Sequence, residues 1–489
     1  MKISVRFLLM IMIFASLSSC FEDQDDNGLV ASEINDFVWK GMNALYLYKD
    51  NVPDLANDRF SSDQDYAEYL NNSGAPEELF ESLIFDRQTS DKFSWIVDDY
   101  IALEQQFSGV TKNNGMKFGL RYVPGSDTDL YGYVRLVLPN SNAESQGLQR
   151  GDVFYGIDGI PLNENNYLEL LGAETYEIDL ATYDNNGTPQ TDDDSIVPSD
   201  TSISLTKTPY TENPIFVSDV LTAGTETVGY LMYNGFTRDF DSQLNDVFGD
   251  FLANNVGHLV LDLRYNPGGS VNTSILLSSM TTGQFTGEVY STEQWNSDLQ
   301  AQFFEQDPEL LINRFKSDDD GTPLNSLNLN TVYILTTGSS ASASELVINC
   351  LNPYIDVIQI GTNTLGKYQA SITIYDSPNF GRENANPNHT YAMQPLVLKS
   401  LNSVGFTDYN DGLQPDITLS EDISNLGVLG DPSEPLLAAA LDEITGTRSS
   451  LTFGPIIELV ADSEDFIPHA KEMYIDKVIP PILRLDRNR

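Results

Sequence analysis

Four short apolar runs between residues 228 and 360 constrain this chain more than any other feature. Val228 to Met232, His258 to Leu263, Val332 to Thr336 and Val357 to Ile360 each have the length and composition of a strand. Helical patterning occupies Asp241 to Ala253, Val271 to Ser279, Ala343 to Leu351 and Glu434 to Glu443. Strand and helix patterns in alternation are the mark of an α/β domain, placed here at residues 211–445.

The rest divides into two further folded parts and two ends. A chain of 489 residues has room for about three domains of ~100–200 residues each. In residues 28–110, Ile34, Val38, Met42 and Leu45 recur at helical spacing, which predicts a small N-terminal helical domain. Residues 111–210 carry short β-rich runs such as Tyr131 to Val137 and Ile203 to Leu205. Between them, Pro139 to Phe154 predicts a short helix stopping at Gly147 and a turn at Gly151-Asp152. A strand then leads to a hairpin at Asp158-Gly159. Asp184 to Asp200 reads as a solvated insertion; its acidic residues lack the spacing and closing Glu of an EF-hand, so a calcium site there is only weakly suggested. Residues 446–489, with Ile479-Pro480-Pro481-Ile482 and Arg484 to Arg489, carry no functional signal.

Composition excludes several classes of function. With 72 Asp+Glu against 26 Lys+Arg the formal charge is -46, which removes the basic footprint that nucleic acid requires. Anionic membrane surfaces are disfavoured for the same reason. Two Cys, three His and no HExxH leave no zinc site, and neither metal nor cofactor is expected.

The N-terminus reads as an export signal. Lys2 and Arg6 precede an apolar run from Phe7 to Ala15, too short to span a bilayer, followed by small residues. Leu17-Ser18-Ser19-Cys20 resembles the lipobox of bacterial lipoproteins, which implies lipidation of Cys20 and removal of residues 1–19. Residues 20–27, with Glu22 to Asp26, would then form an acidic tether. Such acidic residues also resemble the surface-export signals of some Bacteroidetes lipoproteins. The expected location is the periplasmic side of the outer membrane or the cell surface, with the membrane reached only through the lipid.

The chemistry concentrates in three segments. Thr336 to Glu345 follows a strand and opens a helix, so its serines lie near unpaired N–H groups at the positive end of the helix dipole. An acyl-transfer oxyanion needs such donors. On these residues alone, Ser342-Ala343-Ser344-Glu345 reads better as a capping box. Two further segments reverse that preference: Leu261 to Gly269, which ends a strand in a Gly pair, and Gly361 to Tyr368, which carries an isolated Lys.

Together, DLRYNPGG, SASASE and GTNTLGK resemble the S41 family of serine peptidases, the C-terminal processing or tail-specific proteases. Residues 139–159 resemble a PDZ domain, with Met116 to Leu120 as its carboxylate loop. The resemblance implies a multidomain α/β (α+β) protein: a helical N-terminal domain, a PDZ β-rich domain and a ClpP/crotonase-like α/β peptidase domain. It implies Ser342 as nucleophile and Lys367 as base, 25 residues apart as in the family. A Lys can serve only if burial lowers its pKa from about 10.4 towards ~7–8. The oxyanion hole would combine the N–H of Ala343 with that of Gly268 or Gly269. Lys117, Phe118, Gly119 and Leu120 would bind a peptide C-terminus. The chain departs from the pattern where a Gln should follow the Lys by four positions; Ser371 or Gln369 could replace it. The function implied is a lipid-anchored serine endopeptidase acting on unfolded or tail-exposed proteins. An inert PDZ-containing peptide-binding lipoprotein is the alternative, and a carbohydrate-handling lipoprotein would leave the three motifs unexplained.

Overall fold

The computed structural model describes residues 31–188, 190–447, 459–467 and 469–475. The expected signal segment, Cys20 and the acidic tether lie outside the described residues. At the N-terminal end come α1 (Glu33–Leu45), α2 (Asp63–Asn72), α3 (Pro76–Ser82), the short strand β1 (Trp95–Val97) and α4 (Tyr100–Phe107). The β-rich part follows with β2 (Val110–Asn113), β3 (Met116–Tyr122), β4 (Leu130–Val137), α5 (Asn142–Ser145), β5 (Val153–Ile157) and β6 (Ile160–Pro161). It continues through α6 (Tyr167–Gly172), β7 (Thr175–Asp184), β8 (Ser195–Thr206) and β9 (Thr208–Thr211).

The α/β part begins with β10 (Ile215–Ala223), β11 (Glu226–Tyr233), α7 (Asp241–Ala253), β12 (His258–Asp262), β13 (Gly269–Ser270) and α8 (Val271–Thr282). Next are β14 (Val289–Trp295), α9 (Ser297–Gln306), β15 (Ile312–Arg314) and a small hairpin of β16 (Asp318–Asp319) and β17 (Thr322–Pro323). Then come β18 (Thr331–Thr336), α10 (Ala343–Leu351), β19 (Asp356–Gly361), β20 (Gln369–Ser371), β21 (Ile374–Tyr375), β22 (Ala392–Gln394) and β23 (Leu396–Asn402). The last elements are β24 (Ile417–Thr418), α11 (Pro435–Thr445), β25 (Ala461–Asp462) and β26 (Met473–Tyr474).

The four apolar runs form the centre of one six-stranded sheet, ordered β10-β11-β12-β18-β19-β24. From β11 to β24 its strands are parallel, with β10 antiparallel at the edge. Parallel strands covered on both faces must be apolar on both, which is why these runs do not alternate with polar residues. Along β11, Val228, Tyr230 and Met232 face one cluster with Leu436, Leu437 and Ala440 of α11. Leu231 and Tyr233 face the opposite cluster with Leu244, Phe248 and Leu346. Parallelism also sends β12, β18 and β19 out at the same edge. The loops that follow them, each carrying one of the three motifs, are therefore neighbours.

The helices of residues 33–82 do not close a core of their own. Phe37, Val38, Met42, Leu79 and Phe80 belong to the same buried cluster as the α/β sheet. Asn296 Nδ2, preceding α9, donates to the carbonyls of Ala44 and Tyr46. The expected insertion at Asp184 to Asp200 is flanked by strand: β7 runs to Asp184, and β8 resumes at Ser195. Its hairpin loop is held by side-chain contacts of Tyr183 with Asp194 and of Thr188 with Asp193.

The end of the chain, silent in sequence, joins two sheets. β25 is the edge strand of the sheet β25-β3-β4-β5-β7-β8. β26 lies inside a second six-stranded sheet of order β13-β26-β20-β23-β14-β15. Among the described residues no helix is long and apolar enough to cross a membrane.

Candidate active site

The loop after β12 is fixed by a buried arginine. Arg264 is fully buried; its Nε lies 2.9 and 3.0 Å from the Asp262 carboxylate, and its two terminal nitrogens meet Glu434 at 2.6 and 2.9 Å. Glu421 joins at 3.3 Å and also receives Arg150 at 2.9 Å. Burial alone would raise Glu421, but Arg150 and Arg264 hold it down to about 2. Two charges desolvated together persist only with such complete pairing. The network makes the path from Leu263 to Gly269 rigid.

Serine hydroxyls then fasten the second loop to the first. Ser340 Oγ donates to the Leu263 carbonyl at 2.7 Å, and Ser344 Oγ to the Asn266 carbonyl at 3.0 Å. Ala341 N–H donates to that same Asn266 carbonyl at 3.1 Å. Ser342, between them, stands at the head of α10 with φ 58° and ψ -112°. A non-glycine residue there is strained, and such strain persists only where the surroundings over-determine it, most often at functional sites. Its hydroxyl makes no cap bond and donates instead to the carbonyl of Lys471 at 3.0 Å.

Glu345 ties the second loop to the third. Its Oε2 accepts from the N–H groups of Ser342 at 2.7 Å and Lys367 at 2.9 Å. Its Oε1 accepts from Thr364 Oγ1 at 2.6 Å and Gly366 N–H at 2.7 Å. Burial pushes its pKa up to about 7 against the pull of these donors. Only the carboxylate half of the expected capping box forms, and it spans two motifs instead of one helix end.

Lys367 is as deeply buried as Ser342; both are 0% exposed. Its Nζ donates to the same Lys471 carbonyl at 2.9 Å, pairs with Glu472 Oε2 at 3.0 Å and lies 4.6 Å from the centre of the Phe93 ring. Burial lowers its pKa from the ordinary lysine value, while Glu472, Asp91 and Glu345 oppose that shift. The Glu472 carboxylate also receives Trp95 Nε1 at 2.8 Å and Ser371 Oγ at 2.9 Å.

The remaining expected residues fall at varied places. Gly268 (φ 116°) and Gly269 (φ 133°) line the approach to Ser342. A Cβ on Gly268 would come within 2.5 Å of the Ser342 Cβ, and one on Gly269 within 2.4 Å of the Phe236 carbonyl oxygen. Gly268 N–H is committed to Asn266 Oδ1 at 2.9 Å. Ala343 opens α10 directly after Ser342. Gln369 turns away from Lys367 and donates to the Tyr48 hydroxyl at 3.0 Å. Ser371 reaches Lys367 only through Glu472. Lys117 to Leu120 lie within strand β3 and not in a loop, because β3 has a neighbour on both sides, β4 and the chain's own β25. Glu345 appeared in sequence only as a capping residue. Phe93, Trp95, Lys471 and Glu472 carried no local signal, since chain folding alone brings them to Lys367.

Comparison with known proteins supplies the family. The model of peptidase family S41 matches residues 227–417, and that of the peptidase S41 N-terminal domain matches residues 33–95. The carboxyl-terminal-processing protease of Picosynechococcus sp. is 23% identical over 353 residues, 71% of this chain and 74% of that protein. A Bacteroides fragilis protein assigned to the S41 proteases, known from a crystal structure, aligns over 84% of this chain and 97% of its own. Its TM-score is 0.63 at 25% identity. The chain belongs to peptidase family S41 and is a serine-type peptidase.

Proposed function

We propose that this peptidase cleaves unfolded or tail-exposed proteins with Ser342 as nucleophile and Lys367 as general base. The observation that carries the reading is convergence: Ser342 Oγ and Lys367 Nζ, from two different motifs, reach one backbone carbonyl oxygen at 3.0 and 2.9 Å. A serine hydroxyl becomes a nucleophile when a neighbouring base takes its proton. The dry surroundings of Lys367 favour the neutral amine that can do so. In the reaction, Nζ takes the Oγ proton as Oγ attacks the scissile carbonyl carbon. The oxyanion forms against the N–H of Ala343 and that of Gly268 or Gly269. Nζ returns the proton to the leaving amine, and a water activated by the same nitrogen then releases the acyl group.

In this reading the β-rich part is a PDZ module that recognises peptide C-termini. Its support is the edge of β3, which accepts an antiparallel strand at Gly119 and Leu120, beside α6. Exported and lipidated at Cys20, the enzyme would face the periplasm or the cell surface.

The test is hydrolysis of a permanently unfolded protein by the chain lacking residues 1–20. Ser342→Ala and Lys367→Ala should each lower the rate by about 10³-fold or more. Cleavage unaffected by either substitution refutes the pair. Cys20→Ala in the complete chain should release the protein from membranes, and retention there refutes the anchor.

A further inference from the structure

One stretch of chain runs from the β-rich part to Ser342 and Lys367. Residues 459–475 begin on the β-rich part, where Val460 N–H donates to the Leu120 carbonyl at 2.9 Å. Ala461 and Asp462 pair antiparallel with Leu120 and Gly119. Glu464 pairs with Lys117 at 2.7 Å, and the Phe466 ring meets those of Phe118 and Tyr167 at 5.5 and 6.2 Å. Asp462 receives Ser339 Oγ at 2.6 Å, next to the serine motif. Farther on, His469 stacks on Trp95 at 3.4 Å between ring centres.

The stretch then crosses the reacting groups. The Lys471 carbonyl sits on Ser342 and Lys367, and the Glu472 carboxylate sits on Lys367, Trp95 and Ser371. Met473 and Tyr474 fill a slot one strand wide, parallel to Gly269-Ser270 on one side and paired with Ser371 on the other. Ile475 N–H continues that pairing to the Ser371 carbonyl at 3.0 Å. An extended peptide is bound by main-chain pairing of this kind. A cavity of about 110 Å³ opens beside the strand, lined by Phe107, Gly268, Gly269 and Glu472 but not by Ser342.

We propose that residues 459–475 are an intramolecular occupant of the peptidase's own substrate path, so that cleavage of another protein requires this segment to leave. The inference rests on the reading of Ser342 and Lys367 as the reacting pair. The segment is held in a way that does not lead to its own cleavage. Attack requires the Ser342 proton to go to Lys367 and the carbonyl oxygen to face the backbone donors. Here both groups donate to that oxygen instead, and the Glu472 carboxylate lies on Lys367 Nζ. The segment therefore engages the nucleophile and the base together.

The test uses two substitutions in the full chain. Glu472→Lys sets a second ammonium against Lys367. Phe466→Asp removes an apolar contact on the β-rich part that touches neither reacting group. Each should raise hydrolysis of reduced, alkylated lactalbumin at least tenfold. In a Ser342→Ala background, each should also tighten binding of the same lactalbumin carrying a fluorescein label at least tenfold, a readout independent of chemistry. A synthetic peptide of residues 459–475 should reverse both gains. Failure of both variants to gain binding overturns the occupancy, as does loss of hydrolysis in both folded variants, which would make the segment a part of the working site. Release of residues 472–489 by the parent's own Ser342 also overturns it, since the segment would then be a substrate. Cleavage that survives Ser342→Ala refutes the reacting pair alone, because the binding measurement still reports on the segment.

Discussion

Two regions of the molecule close over Ser342, and they are built on different terms. The loops after β12, β18 and β19 are specified almost residue by residue. Gly268 and Gly269 leave room that a Cβ would fill, Ser340 and Ser344 fasten one loop to the next, and Glu345 satisfies four donors at once. The segment 459–475 meets the same serine with one backbone carbonyl and Lys367 with that carbonyl and one carboxylate, and it adds a strand of two residues. Machinery that must hold a strained serine and a desolvated lysine in register tolerates few residue types. An occupant of a strand slot needs mainly an extended backbone, which most sequences can supply.

The largest effect that this contrast predicts lies on the loop side. Arg264→Met leaves Asp262, Glu421 and Glu434 buried without their shared cation and should cost about 3–5 kcal/mol of stability in urea unfolding. A loss under ~1 kcal/mol would mean that the loop does not depend on the network.

Next in size is Glu345→Gln. One of its four accepted bonds at least becomes a clash of donors, with a cost of about 1–3 kcal/mol. Misplacement of the Ser342 and Lys367 backbones should lower kcat about 10²-fold with little change in KM. Glu345 also shapes stability against pH. Its folded pKa of about 7 lies above the ordinary 4.5, so the folded state binds the extra proton in that window. Its contribution to stability is therefore full below about 4.5 and declines as pH rises through about 7. The substitution should flatten this slope, and an unchanged slope would assign it to other groups.

A smaller effect separates the segment from the loops. Lys367 is faced by Glu472, Asp91 and Glu345, which favour its charge, with burial opposing them and His469 nearby. Removing the Glu472 carboxylate lowers the Lys367 pKa, so the rising limb of activity moves to lower pH. In Glu472→Gln the limb of kcat/KM, which reports the free enzyme, should move to lower pH. The limb of kcat should stay in place if substrate has already displaced the segment. Equal movement of both limbs would mean that Glu472 stays beside Lys367 during turnover. Smallest of all is Gln369→Ala, which breaks a bond to Tyr48 at a cost of ~0.5–1.5 kcal/mol and should leave kcat unchanged. A tenfold fall in kcat would restore Gln369 as the residue that orients the lysine.

Much of the α/β part was legible beforehand because burial on both faces writes itself into composition. The runs at 258–263 and 332–336 became β12 and β18, and Asp241 to Ala253 and Ala343 to Leu351 became helices with the expected limits. The resemblance of the three motifs to the S41 family put Ser342 and Lys367 forward as candidates, and the fold brings both to the Lys471 carbonyl. Residues 116–120, expected as a loop, are strand: they pair along their length with β4, and Gly119 and Leu120 also pair with β25, more than three hundred residues away. Periodicity made the helices of residues 33–82 legible, since it reveals an apolar face and not what covers it. That cover is the α/β core itself.

By itself the sequence determined the strand and helix alternation, the acidic surface and the three motifs that place a serine at a helix start and a lysine after the next strand. These properties depend on neighbours within a few positions along the chain, where side-chain period, glycine freedom and helix-end chemistry act. Tertiary structure decided which groups surround those motifs. It delivered Phe93 and Glu472 to Lys367 and Trp95 to Glu472, made Glu345 a link between loops and laid residues 459–475 across the site. Those contacts join segments up to 377 positions apart. No local pattern encodes them, because strand pairing and ion pairing ask only for a free edge or an opposite charge within reach.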